Sequence, residues 1–318
     1  MVTWCGAHEQ KLQLTSGVSS LNYITASLLH FMHKTKITHN NKIKMSESGY
    51  SSDEYENETF FKSEMKNFKS SYEVCSLVMM SANGKIYVGK DKETGNDVII
   101  KILPRKSNLT WVGDRRVPRE VKYHFIAAGV DQGSVQILDF YERKKDFILV
   151  LEKPENSIDL LEFTNHYGPL DFKMAKSICK QLALSSLAHQ SAGICHRDLK
   201  DENVLFNPSN GQVKIIDFGC ATVHQDKYTT YAGTHAYAPP EFGQTGSMNS
   251  DKMTSYHIGC VLFTILTRSC PFSENSDFDF EKFVTLNSKL SFEERGLLSK
   301  LLQPNPDSRI SLSDISNL

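Results

Sequence analysis

The sequence lacks the features that would place the chain in a membrane or on a nucleic acid. Its longest apolar region near the start, residues 24–33, is too short to cross a bilayer, and neither a basic leader nor a small-residue cleavage site flanks it. The formal net charge is −1 over 318 residues, so neither sign of charge dominates. We therefore expect no nucleic-acid partner and no membrane partner.

Cysteine is scattered along the chain and never paired in sequence. The seven cysteines include no Cys-x-x-Cys pair, so the spacing typical of a structural zinc site is missing. An odd count in a long chain also argues against a disulfide framework. Reduced thiols of this kind predict a cytoplasmic protein, a nuclear protein, or one found in both places.

The first 71 residues have no apolar periodicity. Residues 34–44 are basic, and residues 46–58 are acidic and rich in serine and tyrosine. Such segments bury too little surface to offset the entropy of ordering them, which predicts a disordered N-terminal tail over residues 1–71. A solvated linker and a phosphorylatable or docking segment both fit this composition. A transit peptide fits less well, because the first 46 residues contain no arginine.

From Tyr72 onward the pattern becomes that of a folded domain. Strand-like runs come first, with a helical pattern over 117–129 that has Pro118 near its start, and helical patterns dominate after Pro154. The strand-like runs are 72–78, 85–91, 97–103, 135–142 and 146–152, and the later helical patterns are 170–190, 255–268 and 292–302. We predict an α+β, bilobal fold with a small β-rich N-lobe (72–152) and a larger α-helical C-lobe (157–318).

Two segments in the C-lobe carry the strongest chemical signal. They are HRDLKDEN at 196–203 and DFG at 217–219, the latter directly after a strand. In this order and separation they resemble the signature segments of protein kinases. Catalysis of phosphoryl transfer is mostly positioning and charge neutralisation, and it requires a residue that orients the hydroxyl and accepts its proton. We assign that role to Asp198, place Lys200 on the transferring phosphate, and take Asn203 and Asp217 as oxygen ligands suited to Mg²⁺.

Lys101 and Glu120 complete the predicted catalytic set. Lys101 ends the strand-like segment VIIK, and Glu120 lies in the helical pattern that follows. A lone Lys–Glu combination is usually an ordinary surface pair. Here the strand, the helix and their order all match, so Lys101 is predicted to hold the α- and β-phosphates and Glu120 to fix Lys101.

A third segment, GTHAYAPPE at 233–241, resembles the end of a kinase activation segment. The resemblance implies that Glu241 forms a buried ion pair with Arg309 and that Thr234 bonds to Asp198 and Lys200. This pair argues against small-molecule kinases, which lack the segment. Lys200 and the Gly-Thr at 233–234 resemble serine/threonine kinases more than tyrosine kinases.

The segment LEKPENSIDLLEF at 151–163 resembles the lobe junction of the PIM serine/threonine kinases, with Pro154 as its most specific residue. Proline has no N–H, so the junction offers adenine one donor fewer. The resemblance covers residues 72–318 and implies ATP, Mg²⁺, a monomer, and protein substrates with basic residues before the target Ser or Thr. The ATP-binding residues it implies are Val78, Gly84, Ile86, Ile99, Lys101, Leu151, Glu152, Leu205 and Ile216.

The predicted phosphate loop departs from the family pattern G-x-G-x-x-G-x-V. Gly84 takes the third glycine, whereas Met79 and Ser81 stand where the first two belong. Ile99 replaces the alanine that usually packs on adenine, and overpacking typically costs ~1–3 kcal/mol. These changes predict a raised Michaelis constant for ATP. They also leave open a rival of another class, a pseudokinase that acts as a binding or scaffolding module.

Regulation and substrate choice form the last part of the prediction. PIM kinases have acidic residues just before the Gly-Thr, but this chain has Thr230 and Ala232 at those places, with two adjacent threonines at Thr229 and Thr230. We hypothesise that phosphorylation of one of them orders the segment, with Arg197 as the cationic partner. The resemblance also implies that three acids bind the basic residues of the substrate, namely Asp159, Asp201 and Glu202.

Overall fold

The structure is a computed structural model that describes residues 52–81, 83–113, 115–269 and 290–318, except the side chains of 52–58. Residues 1–51 of the predicted tail lie outside the described residues. The helices are α1 (Ser52–Ser71), α2 (Arg119–Val130), α3 (Leu160–Tyr167), α4 (Phe172–Ser191), α5 (Pro240–Thr245), α6 (Ser250–Thr267), α7 (Phe292–Leu301) and α8 (Leu312–Ser316). The strands are β1 (Tyr72–Ser81), β2 (Gly84–Asp91), β3 (Asp97–Pro104), β4 (Leu109–Val112), β5 (Arg115–Pro118), β6 (Ile137–Glu142), β7 (Asp146–Glu152), β8 (Ile158–Asp159), β9 (Ile194–Cys195), β10 (Val204–Asn207), β11 (Gln212–Ile215) and β12 (Thr222–Val223).

A five-stranded antiparallel sheet forms the N-lobe, in the order β1-β2-β3-β7-β6. β1 pairs with β2 up to Ser81, which lies opposite Gly84. In the next turn Gly95 has a φ of 76° and donates its N–H to the Asp91 carbonyl at 2.8 Å. A left-handed φ is tolerated best by glycine. The predicted α+β fold with a β-rich N-lobe is confirmed.

The hairpin of β4 and β5 was not predicted from the sequence. Val117 pairs with Thr110 and Pro118 with Leu109, so these two residues belong to a strand and α2 begins at Arg119. The predicted start of that helix at residue 117 is therefore wrong by two residues. The hairpin leads directly into α2 without an intervening loop, so its position affects where α2 starts.

Helix α1 corrects the prediction that the tail extends to residue 71. Glu64 is fully buried and Phe68 is 5% exposed. The Phe68 ring lies 6.0 Å from that of Tyr72 and 5.4 Å from that of Tyr141. The composition suggested disorder because the apolar residues of α1 are few. They nevertheless lie on one side of the helix, which the sheet covers.

The C-lobe is built around α6. Every residue from Met253 to Leu266 is buried, which is typical of a helix that is covered on all sides. Asn249 caps its N-terminus by accepting the N–H groups of Asp251 and Lys252, at 2.8 and 3.2 Å. Three short strands, β8, β10 and β11, form a small sheet against the N-lobe side. None of the helices in the described residues is long and apolar enough to cross a membrane.

Candidate active site

Three charged side chains from separate elements meet between the lobes. The Lys101 Nζ atom lies 2.6 Å from Glu120 Oε1 and 3.1 Å from Asp217 Oδ1. Lys101 lies in β3 between Ile86 of β2 and Leu149 of β7, so strand pairing on both sides fixes its backbone. The structure thus brings together the lysine, the helix carboxylate and the aspartate that the sequence predicted to cooperate.

Charge pairing controls how these groups ionise. Burial alone would lower the pKa of Lys101, but the carboxylates of Glu120 and Asp217 outweigh it and raise the pKa above its usual value. Burial likewise works to raise the pKa of Asp217, and the Lys101 ammonium outweighs it and lowers the pKa. Lys101 is therefore a cation and Asp217 an anion at neutral pH.

Asp198 lies in the loop that follows β9. Its Oδ1 atom accepts two hydrogen bonds from Thr234, one from the backbone N–H and one from the hydroxyl, both at 2.9 Å. The Asn203 side-chain amide donates to the Asp198 carbonyl at 2.8 Å. Oδ2 receives only a longer hydrogen bond of 3.4 Å from the same Asn203 amide, so it is the better placed oxygen for a reacting hydroxyl.

Lys200 does not make the predicted bond to Thr234. Its Nζ atom instead forms an ion pair with Glu202 Oε2. The partner is local because only one residue separates the two, whereas the N–H and the hydroxyl of Thr234 both donate to Asp198. A phosphate near Lys200 would compete with Glu202 for the ammonium.

Four of the predicted ATP-binding residues lie in one hydrophobic cluster. Ile99, Leu205 and Ile216 pack against a buried core that includes Leu151. They come from both lobes, so the cluster lies at the junction where an adenine ring is expected to bind. Val78 lies on β1 and is 58% exposed.

The side chain of Glu152 is engaged at the lobe junction. Its Oε1 atom accepts the N–H of Gln136 at 2.9 Å and pairs with the ammonium of Lys214. These contacts connect the end of β7 to the segment before β6 and to β11. The side chain of Glu152 is therefore committed to structural contacts, and its backbone N–H donates to the Gln136 carbonyl at 3.0 Å.

Gly84 has a structural requirement of its own. Its φ is 140°, and a Cβ atom there would lie 2.2 Å from the Ile102 carbonyl oxygen. The close approach of β3 thus excludes a side chain at this position. Met79 of β1 pairs with Ile86 of β2, which in turn pairs with Lys101 of β3. The Met79 side chain is 57% exposed. The register predicted for the phosphate loop therefore matches the hairpin.

The aromatic packing behind Asp217 was missed by the sequence analysis. The Phe218 ring is fully buried, and it lies 4.7 Å from the ring of His124 and 4.8 Å from that of His196. His124 follows Glu120 by one helical turn, and that spacing is the signal that could have revealed it. Arg119 was missed as well; its guanidinium donates to the Thr222 hydroxyl at 2.9 Å and so connects α2 to the segment after Asp217.

Two buried histidines make the fold sensitive to acid. Burial lowers the pKa of His124 to about 4 and that of His257 to about 4. Unfolding returns each to its ordinary pKa near ~6.5. Each histidine, while neutral and buried, therefore makes its full contribution to the free energy of unfolding above that pH. The contribution is lost as the pH falls toward 4. At about pH 5 we expect each histidine to remove ~2 kcal/mol from the free energy of unfolding, as measured by urea denaturation.

The matched variant for this prediction is His257→Phe. Carboxylates also contribute to acid sensitivity, so the comparison is between two slopes of unfolding free energy against pH. The variant is expected to show a shallower slope between about pH 6.5 and pH 5, because one proton fewer is taken up on unfolding. Equal slopes would contradict the assignment of His257 as a neutral buried group.

The three acids predicted to bind a basic substrate differ in their surroundings. Asp201 is only 4% exposed and accepts the hydroxyl of Tyr237 at 2.8 Å. Its assignment as a substrate contact is therefore wrong, because it is an internal acceptor that connects two segments of the C-lobe. Asp159 caps α3 by accepting the N–H of Glu162 at 2.8 Å and is partly exposed. Glu202 is exposed.

Arg197 connects the Asp198 loop to the segment around Thr230. Its guanidinium donates to the Thr230 carbonyl at 2.5 Å and lies 4.6 Å above the Tyr228 ring. Its backbone is left-handed, with a φ of 69°, a conformation that costs a non-glycine residue ~1–3 kcal/mol and clusters at functional sites. Thr229 and Thr230 are exposed. The predicted arginine and threonines therefore lie in one neighbourhood.

The predicted ion pair of Glu241 and Arg309 is present. Two parallel bonds of 2.8 Å join the guanidinium to the carboxylate, and both side chains are buried. The remaining guanidinium donors bond to the carbonyls of Lys252 and Gln303. This network ties α5 to the start of α6 and to the loop before α8.

Asn203 and Asp217 fit the metal role predicted for them. The Asn203 amide nitrogen is committed to the Asp198 carbonyl, which leaves its carbonyl oxygen for a cation. Asp217 uses Oδ1 for Lys101 and for the N–H of Gly219, which leaves Oδ2. Hard oxygens from an amide and a carboxylate are the ligands that Mg²⁺ takes.

The comparisons with known proteins agree with this site. Residues 80–318 match the protein kinase domain family. The chain therefore belongs to the protein kinases. Its relatives identify it more narrowly as a protein serine/threonine kinase, which binds ATP as its phosphate donor.

The similar proteins include two serine/threonine-protein kinases compared by sequence and one protein compared by its crystal structure. The chain is 30% identical over 262 residues to the serine/threonine-protein kinase pim-2 of Danio rerio, covering 79% of this chain and 84% of that protein. It is 28% identical to the serine/threonine-protein kinase prk-2 of Caenorhabditis elegans and spans 58% of its length. The crystal structure of Rad53 residues 1–466 in complex with AMP-PNP superimposes with a TM-score of 0.61 at 23% identity, covering 79% of this chain and 65% of that one, which supports the fold alone.

Proposed function

We propose that this kinase transfers the γ-phosphate of ATP, with Mg²⁺, to Ser or Thr residues that follow basic residues in protein substrates. The proposal is based on two groups of contacts, those of Lys101 and those of Asp198, which occur together in the structure. Lys101 contacts both Glu120 and Asp217, and Asp198 is held by Thr234. These contacts supply both a phosphate anchor and a base.

Each side chain has a defined task. Lys101, kept cationic by its two carboxylates, binds phosphate oxygens and stays in position through Glu120. Asp198 orients the substrate hydroxyl and accepts its proton. Lys200 leaves Glu202 to contact the transferring phosphate, since a phosphate carries more negative charge than one carboxylate. Asn203 and Asp217 hold Mg²⁺, which neutralises charge on the phosphates.

The preference for basic substrates rests on fewer acids than the resemblance implies. Glu202 is exposed and Asp159 is partly exposed, whereas Asp201 is internal. Glu202 is also shared with Lys200. We therefore propose a modest preference for arginine before the target residue, exerted through Glu202 and Asp159, in a monomeric enzyme. Phosphorylation of Thr229 or Thr230 near Arg197 belongs to the same proposal as its regulation.

The test measures phosphate transfer from radiolabelled ATP to two serine peptides that differ only in having arginines or alanines before the target. The arginine peptide is expected to have the higher kcat/KM, and Glu202→Gln is expected to reduce the ratio of the two values. Thr229→Ala with Thr230→Ala is expected to lower activity. Equal values for both peptides would reject the basic preference. Absence of transfer, together with a thermal shift by MgATP, would favour the pseudokinase.

The phosphate loop supplies a separate prediction. The double variant Met79→Gly with Ser81→Gly introduces the two glycines of the family pattern. It is expected to lower the Michaelis constant for ATP about three- to tenfold, equivalent to ~0.7–1.4 kcal/mol. Removing both side chains lets the β1–β2 hairpin approach the phosphates more closely. Steady-state kinetics at varied ATP measure the effect, with Leu77→Gly further along β1 as the control. An unchanged constant would mean that the loop does not limit ATP binding.

A further inference from the structure

One face of α1 is built for contact with the N-lobe. Going along the helix, side chains are at least partly buried at Phe60, Glu64 and Phe68, which are spaced four residues apart, and Lys66 on another side is exposed. Positions four apart lie above one another on a helix. We call Phe60, Glu64 and Phe68 the contact face.

Within the contact face, Phe60 packs against the hydrophobic cluster that includes a residue of α2. Phe60 packs against the cluster formed by Val112 and Val117 of the β4–β5 hairpin and Val121 of α2, together with neighbouring strand residues. Val121 is fully buried and directly follows Glu120 in sequence. The side chain of Phe60 and the residue next to Glu120 therefore belong to the same packed core.

A buried carboxylate lies at the centre of the contact face. Glu64 Oε2 accepts the N–H of Glu142 at 3.5 Å, and the guanidinium of Arg115 in β5 attracts the carboxylate. Burial, with Glu142 and Asp139 nearby, raises the pKa of Glu64 to about 7, and Arg115 acts against this rise. Removing a carboxylate from water is costly unless a partner compensates it. The attraction of Arg115 opposes this cost, although Glu64 Oε1 and Arg115 Nη1 have no hydrogen-bond partner among the described residues, and Arg115 lies four residues before α2 begins.

The neighbouring turn of α1 contacts the other end of the same region. The Arg105 guanidinium, just after β3, lies 5.5 Å from the Phe61 ring and 4.8 Å from that of Phe147. It also pairs with Glu142 Oε1 at 2.6 Å. α1 thus contacts Arg105 immediately after the strand of Lys101, and its Glu64 is attracted by Arg115 shortly before the helix of Glu120.

We propose that α1 is a positioning element for catalysis, which holds the β4–β5 hairpin and α2 so that Glu120 stays on Lys101. Phe60 and Glu64 are the positioning residues, and they act through Glu120 without contacting substrate. The effect on activity rests on the proposed kinase function, whereas the effect on α2 does not. The packing of Phe60 against the cluster that contains Val121 is the contact that transmits it.

The experiment uses the full chain with Phe60→Ala, the conservative Phe60→Leu, and Lys66→Ala as the exposed control on the same helix. Hydrogen exchange reports the protection of the α2 amides, and kinetics report kcat and the Michaelis constant for ATP separately. Phe60→Ala is expected to speed α2 exchange and to lower kcat/KM for ATP by about three- to thirtyfold, the range of coupling through packed side chains. Phe60→Leu is expected to restore both, and Lys66→Ala to change neither.

A double-mutant cycle separates positioning from general loss of stability. If α1 acts through Glu120, the double variant Phe60→Ala with Glu120→Gln is expected to resemble the Glu120→Gln variant. The two values of kcat/KM should differ by less than about twofold. Full additivity, or faster exchange in α1 with unchanged α2 exchange, would overturn the proposal. A wild-type chain without phosphate transfer would reject the proposed function, and the exchange data would still decide the positioning role.

Discussion

Replacing Asp198 by Asn is expected to lower kcat by ~10²–10⁴-fold, the usual contribution of a positioned general base. The amide keeps the shape of the carboxylate and one acceptor oxygen, so a bond from Thr234 can persist. It has no basicity with which to take the proton of a substrate hydroxyl. Phosphate transfer to a serine peptide at saturating ATP measures the effect.

The control for this variant is Asp171→Asn. Asp171 is an exposed cap of α4 that accepts the N–H of Met174, and asparagine caps equally well. We expect it to keep full activity. The thermal shift caused by MgATP should survive in Asp198→Asn, because the contacts of Lys101 and Asp217 are untouched. Equal kcat in Asp198→Asn and wild type would remove Asp198 from the mechanism.

Replacing Arg309 by Met is expected to cost ~3–5 kcal/mol of unfolding free energy, because it leaves the Glu241 carboxylate buried without its partner. The carboxylate loses two bonds of 2.8 Å, and the carbonyl of Gln303 loses its donors. For a domain of this size that corresponds to a fall in Tm of about 10 °C. Urea denaturation and thermal unfolding measure the two values.

Two further variants test the cause of this loss. Lys300→Met removes a cation from an exposed position of α7 and is expected to change stability by less than ~0.5 kcal/mol. Adding Glu241→Gln to Arg309→Met removes the unpaired charge and is expected to recover part of the loss. A double variant as unstable as the sum of its single variants would show that the pair is not coupled.

Sequence reasoning worked where a short segment carries both its structure and its chemistry. Lys101, Asp198 and Asp217 were found because their segments resemble the signature segments of protein kinases in order and separation. Alternating apolar residues revealed the sheet that presents Lys101, because strand periodicity is a local property. The pairing of Glu241 with Arg309 followed from the resemblance, and the structure confirms it.

The errors arose where burial depends on distant segments. In the sequence, Asp201 is followed by a second acid, Glu202, and nothing distinguishes the two. In the folded chain the Tyr237 hydroxyl donates to Asp201, which makes Asp201 an internal acceptor. The composition of α1 predicted a solvated, disordered segment. Phe68 is buried only because the sheet covers it. Composition describes what a segment can bury by itself and not what others bring to it.

The sequence by itself indicated the class of reaction through segments that resemble those of protein kinases, and it indicated the two-lobed architecture because strand and helix periodicity are local. Only the tertiary structure decided which groups share a bond. It assigned Lys200 to Glu202, made Asp201 internal, and placed Phe60 against the core next to Glu120. A charge, a hydrogen bond or an apolar contact acts over a few ångströms, and residues that are distant in sequence approach that closely only after the chain has folded.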